Sequence, residues 1–305
     1  MKKQSFKTRI IVLGSLNMDV VLRLDSMPAR GETAHAQSLS YIPGGKGGNQ
    51  AVACARHGAQ VALVGCVGRD AHGDVLRNAL AADGVDVSHV AVHDGESTGS
   101  AVVMVEADGS NRIAVIPGAN ALAALPAHFA QVLAQADYLV VQFETPLDVL
   151  DSAIAMAHQN NCKVVLNPSP VKAVPSQWWP LIDTLVVNEH EAAELSGMAV
   201  VDADTAQRAA QHFLGLGVRQ VVVTMGSQGA LALNAQGHSV HPAPQVNVVD
   251  TTSAGDTFLG TMVTRLGEGC TLPHAVEWGI KAAALCIGRA GAQPSIPQRS
   301  EVGDA

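Results

Sequence analysis

The stretch "DTTSAGDTF", residues 250–258, sets two carboxylates, Asp250 and Asp256, around a run of small residues. Val246, Val248 and Val249 before it read as a strand. Phe258, Leu259, Met262, Val263 and Leu266 after it recur at helical spacing. The pattern predicts a strand-to-helix junction with Asp256 in the first helical turn. Ser253, Ala254 and Gly255 carry little or no side chain, so their N–H groups can converge on one anion at a helix N-terminus. Such a cluster stabilises an oxyanion or a phosphoryl group in transfer as its charge develops. A carboxylate beside it takes the proton of an attacking hydroxyl. Capping alone would not need such a run of small residues, and the stretch reads as phosphoryl-transfer machinery.

Five other segments offer polar groups or glycine-rich turns in apolar surroundings. Asn17 and Asp19 are two apart and share a face in extended chain, an amide and a carboxylate suited to neighbouring hydroxyls; strand-end capping would use the same residue types. "GGKGGNQAVACA" (44–55) has four glycines that let backbone approach a ligand, with Lys46 and Asn49 interrupting them, ahead of a helix N-terminus. It matches neither GxxxxGK[ST] nor GxGxxG, which excludes the Walker and Rossmann readings. Glu144 in "QFETP" ends an apolar run before a helix near Pro146, where it serves either as an N-cap or as an acceptor for a polyol. In "NEHEAAEL" (188–195), Asn188 suits a cap, and Glu189 and Glu191 suit a first turn. "TMGSQGA" (224–230) reads as a Gly-rich turn between strands.

The elements that must position these groups follow from periodicity. Nearly continuous apolar runs at 9–14, 60–65, 138–142, 163–167, 184–188 and 220–226 predict strands buried on both faces. Helical patterns lie between them at 49–57, 73–82, 127–136, 146–159, 189–195 and 205–216. This alternation predicts a parallel sheet with helices on both sides. Ligands bind such sheets at the carboxyl ends of the strands. Asn17, Asp19, Gln142, Glu144, Asn167, Asn188, Thr224, Asp250 and Asp256 are the polar residues expected there. Residues 20–42 and 98–116 break the rhythm with extended patterning and no helix, the second holding the turn "ADGSN". They predict a small β-appendage. No long linker or repeat divides the chain.

Composition narrows the function further. The 305 residues are 48% hydrophobic and 15% charged, with net charge −8. That balance suits a large buried core and disfavours nucleic acid or an anionic membrane surface as partner. Five cysteines, Cys54, Cys66, Cys162, Cys270 and Cys286, show no metal-binding spacing and read as reduced, buried thiols. The basic start is followed by an apolar run broken at Asn17 and Asp19, with no cleavage site, and no stretch approaches spanning length. A cytoplasmic location is expected.

"GGKGGNQAVA" and "DTTSAGDTFLG" resemble the two signatures of the ribokinase-like (PfkB) carbohydrate kinases. Between and around them "GSLNMD", "GESTGSA", "PGAN", "QFETPL", "LNPSP", "VNEHEAAELSG", "VVTMGSQGA" and "GAQPSIP" follow in that family's order, so the likeness spans essentially the whole chain. It implies one three-layer α/β/α domain over 1–305, with a central mostly parallel sheet and a small β-sheet lid inserted at about 20–42 and 98–116. The implied activity is ATP-dependent phosphorylation of the 5-hydroxyl of D-ribose, with Mg²⁺ and K⁺ as a monovalent activator. By position, Asn17, Asp19, Gly45, Lys46, Asn49 and Glu144 would hold the sugar together with Asp256, the implied base. Ser253, Ala254 and Gly255 would supply the anion hole. Asn188, Thr224, Gly226, Gly229, Gly255 and Ile280 would line the nucleotide site, and Glu191 would be linked to Mg²⁺. Asp250, Thr252, Cys286, Arg289, Gly291 and Ser295 would surround K⁺, mostly through backbone carbonyls. The lid would also form a homodimer interface.

Three positions depart from the family pattern: Ser253 stands where Gly or Ala is commoner, Gly48 where Ala is usual, and Ile280 where a polar residue often flanks adenine. Other readings are a kinase of 2-deoxyribose or another small sugar, and a non-catalytic sensor on the same fold. Asp19 favours ribose, since a paired amide and carboxylate are left unsatisfied when a hydroxyl is missing.

Overall fold

A computed structural model of the chain describes residues 7–106 and 110–303. The chain opens with β1 (Arg9–Leu13), then leaves the main layer for β2 (Asn17–Arg23) and β3 (Ser38–Gly44). Helix α1 (Lys46–Arg56) leads back to β4 (Gln60–Gly68), α2 (Ala71–Ala82) and β5 (Val90–His93). A second excursion forms β6 (Gly99–Val105) and β7 (Asn111–Ile116), followed by the short α3 (Phe129–Leu133). Next come β8 (Tyr138–Gln142), α4 (Leu147–Gln159), β9 (Lys163–Asn167) and β10 (Thr184–Asn188). They are followed by α5 (Glu189–Ser196), α6 (Ala203–Gly215) and β11 (Gln220–Thr224). The hairpin β12 (Ala230–Asn234) and β13 (Gly237–His241) precedes α7 (Ala254–Gly267), α8 (Leu272–Ile287) and the single turn α9 (Arg299–Val302).

Among the described residues, nine strands form the central sheet in the order β13-β12-β11-β10-β9-β8-β1-β4-β5. Pairing is parallel except at β11/β12 and β12/β13. The runs are continuous because both faces are covered. Ile10 and Val12 pack on one side with α1, α2, α7 and α8, while Ile11 and Leu13 pack on the other with α3 to α6. Three α/β/α layers result. β1 and β8 are neighbours whose chains lead off in opposite directions, so the crevice at their carboxyl ends is the switch point where α/β sheets bind ligands.

The small sheet has the order β3-β2-β6-β7, with β2 and β6 parallel. Register places Asp19 on one face with Ile42 and Ala101, and Val115 lies opposite Ala101. The turn "ADGSN" falls largely on 107–109, outside the described residues; the strands it joins pair antiparallel.

Three elements differ from expectation. Residues 246–249 form no strand: Pro242 and Pro244 interrupt backbone donors after β13, and Val248 and Val249 are 61% and 62% exposed. Asp250 therefore follows an irregular segment, tied down by the Val249 and Asp250 N–H groups on the Ile287 carbonyl. The helix expected at 127–136 shrinks to Phe129–Leu133, since Gln135 and Ala136 close tighter i→i−3 turns to reach β8. Helix α1 starts at Lys46 rather than Asn49, because its glycines are seated on the end of β1.

Candidate active site

The first signature lies directly over the switch point. A Cβ at Gly47 would lie 2.5 Å from the Gly14 carbonyl carbon and 2.6 Å from the Ser15 nitrogen, so only glycine lets α1 descend this far onto β1. Gly45, which precedes the helix, has φ +86°. Gly48 N–H donates to the Ser15 carbonyl at 3.0 Å. Glu144, beyond the end of β8, accepts from the Ser15 hydroxyl and from the Lys46 backbone N–H. It does not cap α4, whose N-cap is Pro146. The open choice at Glu144 resolves toward the crevice.

Helix α7 brings the second signature to the same place. Asp256 lies in its first turn and is 8% exposed. Its Oδ2 accepts from Asn49 Nδ2 and its Oδ1 from Gln50 Nε2, both at 2.9 Å. The helices meet closely because residue 260 is glycine: a Cβ there would lie 2.5 Å from Ala53 Cβ. The Asn49 Oδ1 is buried and has no partner, so this amide fixes the carboxylate with one end and leaves an acceptor for a hydroxyl. Behind it, Gln50 Oε1 accepts from Gln142 Nε2 at 2.6 Å, and Gln50 Nε2 also reaches Asn167 Oδ1 at 3.2 Å. Gln142 and Asn167 are register partners at the ends of β8 and β9.

Asp19 and Lys46 feel this collection of charge. Burial, then Glu144 and Asp256, push the Asp19 carboxyl up to about 7. Burial pulls the Lys46 ammonium down, yet Asp256, Glu144 and Glu191 together raise it above its ordinary value. Asn17, two residues before Asp19, is buried, and its Oδ1 accepts from Asn120 Nδ2 at 2.8 Å. Asn120 also clamps both backbone groups of Leu16.

The backbone expected to form the anion hole, residues 253–255, lies at the start of α7 with the Ala254 N–H occupied. Gly255 and Asp256 N–H groups point off the start of α7 without a partner among the described residues. Ala254 N–H instead makes a long contact of 3.3 Å with the Thr251 carbonyl. Ser253 adopts the left-handed region at φ 65°, costing of order 1 kcal/mol for a non-glycine. Its Oγ is buried and unpartnered.

Of the nucleotide candidates, Asn188, Thr224 and Gly226 come together at the next strand ends. Asn188 and Thr224 are register partners on β10 and β11. Asn188 Oδ1 accepts from Glu191 N–H at 2.8 Å while Glu191 Oε2 accepts from Asn188 N–H at 2.9 Å, so both residues do form a reciprocal cap on α5. A Cβ at Gly226 would come within 3.9 Å of Glu189, placing the β11–β12 turn beside that helix. Gly229 packs against the His241 carbonyl, and Ile280 is buried in the core on α8.

The residues expected around a monovalent cation also meet. Asp250 Oδ1 accepts from Thr252 N–H and Oδ2 from Gly291 N–H, each at 2.9 Å. Burial works against the charge, but these hydrogen bonds prevail and hold the Asp250 carboxyl below its ordinary value. Cys286 Sγ lies 3.0 Å from Ser295 Oγ and 3.7 Å from the Thr252 carbonyl. Arg289 turns outward to Glu301. Among the described residues no cluster of three His, Cys, Asp or Glu side chains could hold a metal ion.

Gln50 and Asn120 were not among the expected site residues. Gln50 stands out only as a fully buried amide in an Ala- and Val-rich helix, and Asn120 only as part of "PGAN".

The arrangement is that of a phosphoryl-transfer crevice in a three-layer α/β enzyme. A family model described as pfkB family carbohydrate kinase matches residues 7–299. A ribokinase of Haemophilus influenzae is 38% identical over 294 residues, covering 96% of each chain. A ribokinase of Schizosaccharomyces pombe is 39% identical over 305 residues, again covering 96% of each. A deoxyribokinase of Salmonella typhi is 32% identical, covering 94% of this chain and 95% of its own. The structure of Arabidopsis thaliana ribokinase complexed with ribose and ATP superposes with TM-score 0.92 at 31% identity, covering 97% of this chain and 98% of that one. The protein belongs to the pfkB family of carbohydrate kinases. It is a sugar kinase.

Proposed function

We propose that the protein transfers the γ-phosphoryl group of ATP to the 5-hydroxyl of D-ribose. The observation that carries this reading is the Asp256 carboxylate, held by two amides beside the unpartnered N–H groups at the start of α7. Asp256 takes the proton of the 5-hydroxyl as its oxygen bonds to the γ-phosphorus. The bond from that phosphorus to the bridging oxygen breaks and ADP leaves. Charge developing on the phosphoryl oxygens falls on the N–H groups of Gly255 and its neighbours. Asp19 and the free Oδ1 of Asn49 accept from sugar hydroxyls, Asn17 donates to one through its Nδ2, and Glu144 and Gly45 border them. Lys46 offsets phosphate charge. Asn188, Thr224, Gly226, Gly229 and Ile280 border the nucleotide, with Asn188 also a helix cap. The ribokinase relatives and the Arabidopsis thaliana complex with ribose and ATP support the choice of substrates.

Mg²⁺ and K⁺ fit the residues present. Asp19, Glu144, Glu191 and Asp256 outnumber Lys46, so a triphosphate needs a counter-charge here. Mg²⁺ is held mainly by phosphate oxygens and water, requiring only one or two carboxylates, and Glu191 engages the backbone through Oε2 alone. When bound, Mg²⁺ neutralises phosphate charge. K⁺ takes carbonyl oxygens, and an ionised Asp250 between the segments of Thr252 and of Cys286, Arg289, Gly291 and Ser295 suits it.

A homodimer through the lid is supported by its open apolar face, where Ile113 and Val115 are 57% and 55% exposed beside Val21 and Val103. No helix among the described residues is long and apolar enough to cross a membrane. All five thiols are free, which supports a reducing, cytoplasmic setting.

The test is a coupled ADP-release assay with Mg-ATP and K⁺, comparing D-ribose, 2-deoxy-D-ribose, D-fructose and adenosine. A kcat/KM for ribose at least about tenfold above the rest is expected. Preference for 2-deoxyribose would align the protein with the deoxyribokinase relative, and no turnover at all would overturn the reading. Asp256→Asn is expected to fold, bind ribose and lose several orders of magnitude in kcat.

A further inference from the structure

We propose that Gln50 is a positioning residue for phosphoryl transfer: it commits Oδ1 of Asp256 to the protein and leaves Oδ2 as the oxygen that receives the proton. The proposal rests on Asp256 being the base. A carboxylate on two single bonds can spin, and its two oxygens are chemically equivalent until something distinguishes them. Here they are distinguished by their donors. Oδ2 faces Asn49, whose own Oδ1 is free for a ligand, so this side of the carboxylate belongs to the sugar. Oδ1 faces Gln50, which is 0% exposed and cannot touch a substrate.

The Gln50 side chain is fixed from both ends. Its Nε2 donates to Asp256 Oδ1 at 2.9 Å and to Asn167 Oδ1 at 3.2 Å. Its Oε1 accepts from Gln142 Nε2 at 2.6 Å, and the Asp256 carboxylate assigns the amide orientation, because a flipped amide would set acceptor against acceptor. Asn167 is anchored in turn on the Val186 carbonyl at 3.1 Å. The ends of β8 and β9 and the middle of β10 thus hold one amide, and that amide holds the carboxylate. A backbone scaffold sets the direction of the base through two layers of side chains, as preorganised sites require.

The expected consequences separate positioning from bulk stability. Gln50→Met keeps the length and removes the donor. The carboxylate then swings, and kcat is expected to fall by roughly 10- to 100-fold with the ribose KM within about threefold. Gln50→Glu keeps the shape and makes the donation depend on pH. A protonated carboxyl at this position still donates to Asp256 Oδ1, whereas an ionised one repels it. The ratio of Gln50→Glu to wild-type kcat is therefore expected to fall at least about tenfold between about pH 6 and about pH 9. A structural role would act through the folded fraction, so with kcat expressed per folded molecule that ratio would stay flat.

All variants are assayed as the full chain at saturating ribose and Mg-ATP, with the folded fraction measured by thermal unfolding. Should Gln50→Met not fold, Gln50→Glu decides alone. Wild-type kcat in Gln50→Met, or a flat ratio in Gln50→Glu, overturns the proposal. Asp256→Asn measured in parallel keeps the two ideas apart. If it is inactive while Gln50→Met turns over normally, only the role of Gln50 falls; if it is active, the assignment of the base falls first.

Discussion

Gly260→Ala tests whether the packing of α1 against α7 sets the chemistry. The added Cβ would sit 2.5 Å from Ala53 Cβ and 2.9 Å from both Cys54 N and the Gln50 carbonyl oxygen. Carbon atoms rest about 3.5–4.0 Å apart, so the helices must separate by about 1 Å. None of the three atoms is the free end of a flexible side chain, and a rotamer change cannot absorb the overlap. Overpacking of this kind costs about 1–3 kcal/mol, or a Tm lower by roughly 2–10 °C in a chain of this size. One turn away, Asp256 on α7 is joined to Asn49 and Gln50 on α1 by two bonds of 2.9 Å. Lengthened by about 1 Å, both pass beyond hydrogen-bonding range. A misplacement of that size costs about 10²-fold in rate, equivalent to about 2.7 kcal/mol of barrier. The assay is kcat by ADP release beside thermal unfolding of the same sample. Ala53→Gly in the Gly260→Ala background removes the closest contact and is expected to restore part of kcat, although it costs about 1 kcal/mol of helix propensity. A folded Gly260→Ala enzyme with wild-type kcat would show that helix spacing does not govern the base, and the reasoning would fail.

Two further predictions concern pH. Asp19 has its carboxyl raised to about 7, so it takes up a proton as pH falls through neutrality and loses an acceptor for sugar hydroxyls. The ribose KM is expected to rise from about pH 8 to about pH 6, and Asp19→Asn to remove that dependence; parallel KM profiles would refute it. The same raised value means that the ligand-free protein loses stability as pH rises from the ordinary carboxyl range to about 7, the ionised form being the disfavoured one. His57 behaves oppositely. It is fully buried, and burial with Arg265 and Arg299 pushes it down to about 4, partly countered by Glu268. Its stabilising share is complete above the unfolded value near 6.5 and is lost as pH falls toward 4, up to roughly 3 kcal/mol. Chemical denaturation of the wild type and of His57→Leu at a series of pH values should show this slope in their difference, the Asp19 contribution being common to both.

The parallel sheet was legible because its strands are buried on both faces and so read as unbroken apolar runs, "YLVVQ" being buried throughout. The helix start at Asp256 was legible because its signals are local, small residues in consecutive positions and an apolar pattern at helical spacing, and α7 does begin at Ala254. The run at Val246, Val248 and Val249 misled because valine spacing signals a strand only where a neighbour supplies hydrogen bonds, and here the chain lies exposed. Gln50 was invisible for a different reason. Its meaning depends on a carboxylate 206 residues away and on amides at two strand ends, and no local spacing encodes that. Glu144 and Ser15 are likewise 129 residues apart, and only the adjacency of β1 and β8 joins them. Local chemistry could be read along the chain, while its supports depend on topology.

Several local rules are broken at once around this crevice. Lys46 begins α1, where the helix dipole disfavours a cation, and it is mostly buried as well. Ser253 occupies a left-handed conformation that glycine would adopt freely. Asp19 sits where its charge is opposed by burial and by two other carboxylates. Ser253 and Asp19 each lower stability, and Lys46 is tolerated only because the carboxylates around it outweigh its burial. Together they fit the transfer proposed above, which brings a polyanion to an anionic base. The carboxylate must be ionised to take a proton, yet its charge repels the phosphoryl group it serves. Lys46 lies within reach of Asp256, Glu144 and Glu191 and offsets that repulsion. The starts of α1 and α7 add the positive ends of two helix dipoles, each worth about half a charge. A carboxyl at Asp19 poised near neutrality keeps the free site from carrying its full negative charge. Strain concentrated at such a point, in a fold whose core is otherwise regular, is what a preorganised transfer site is expected to show.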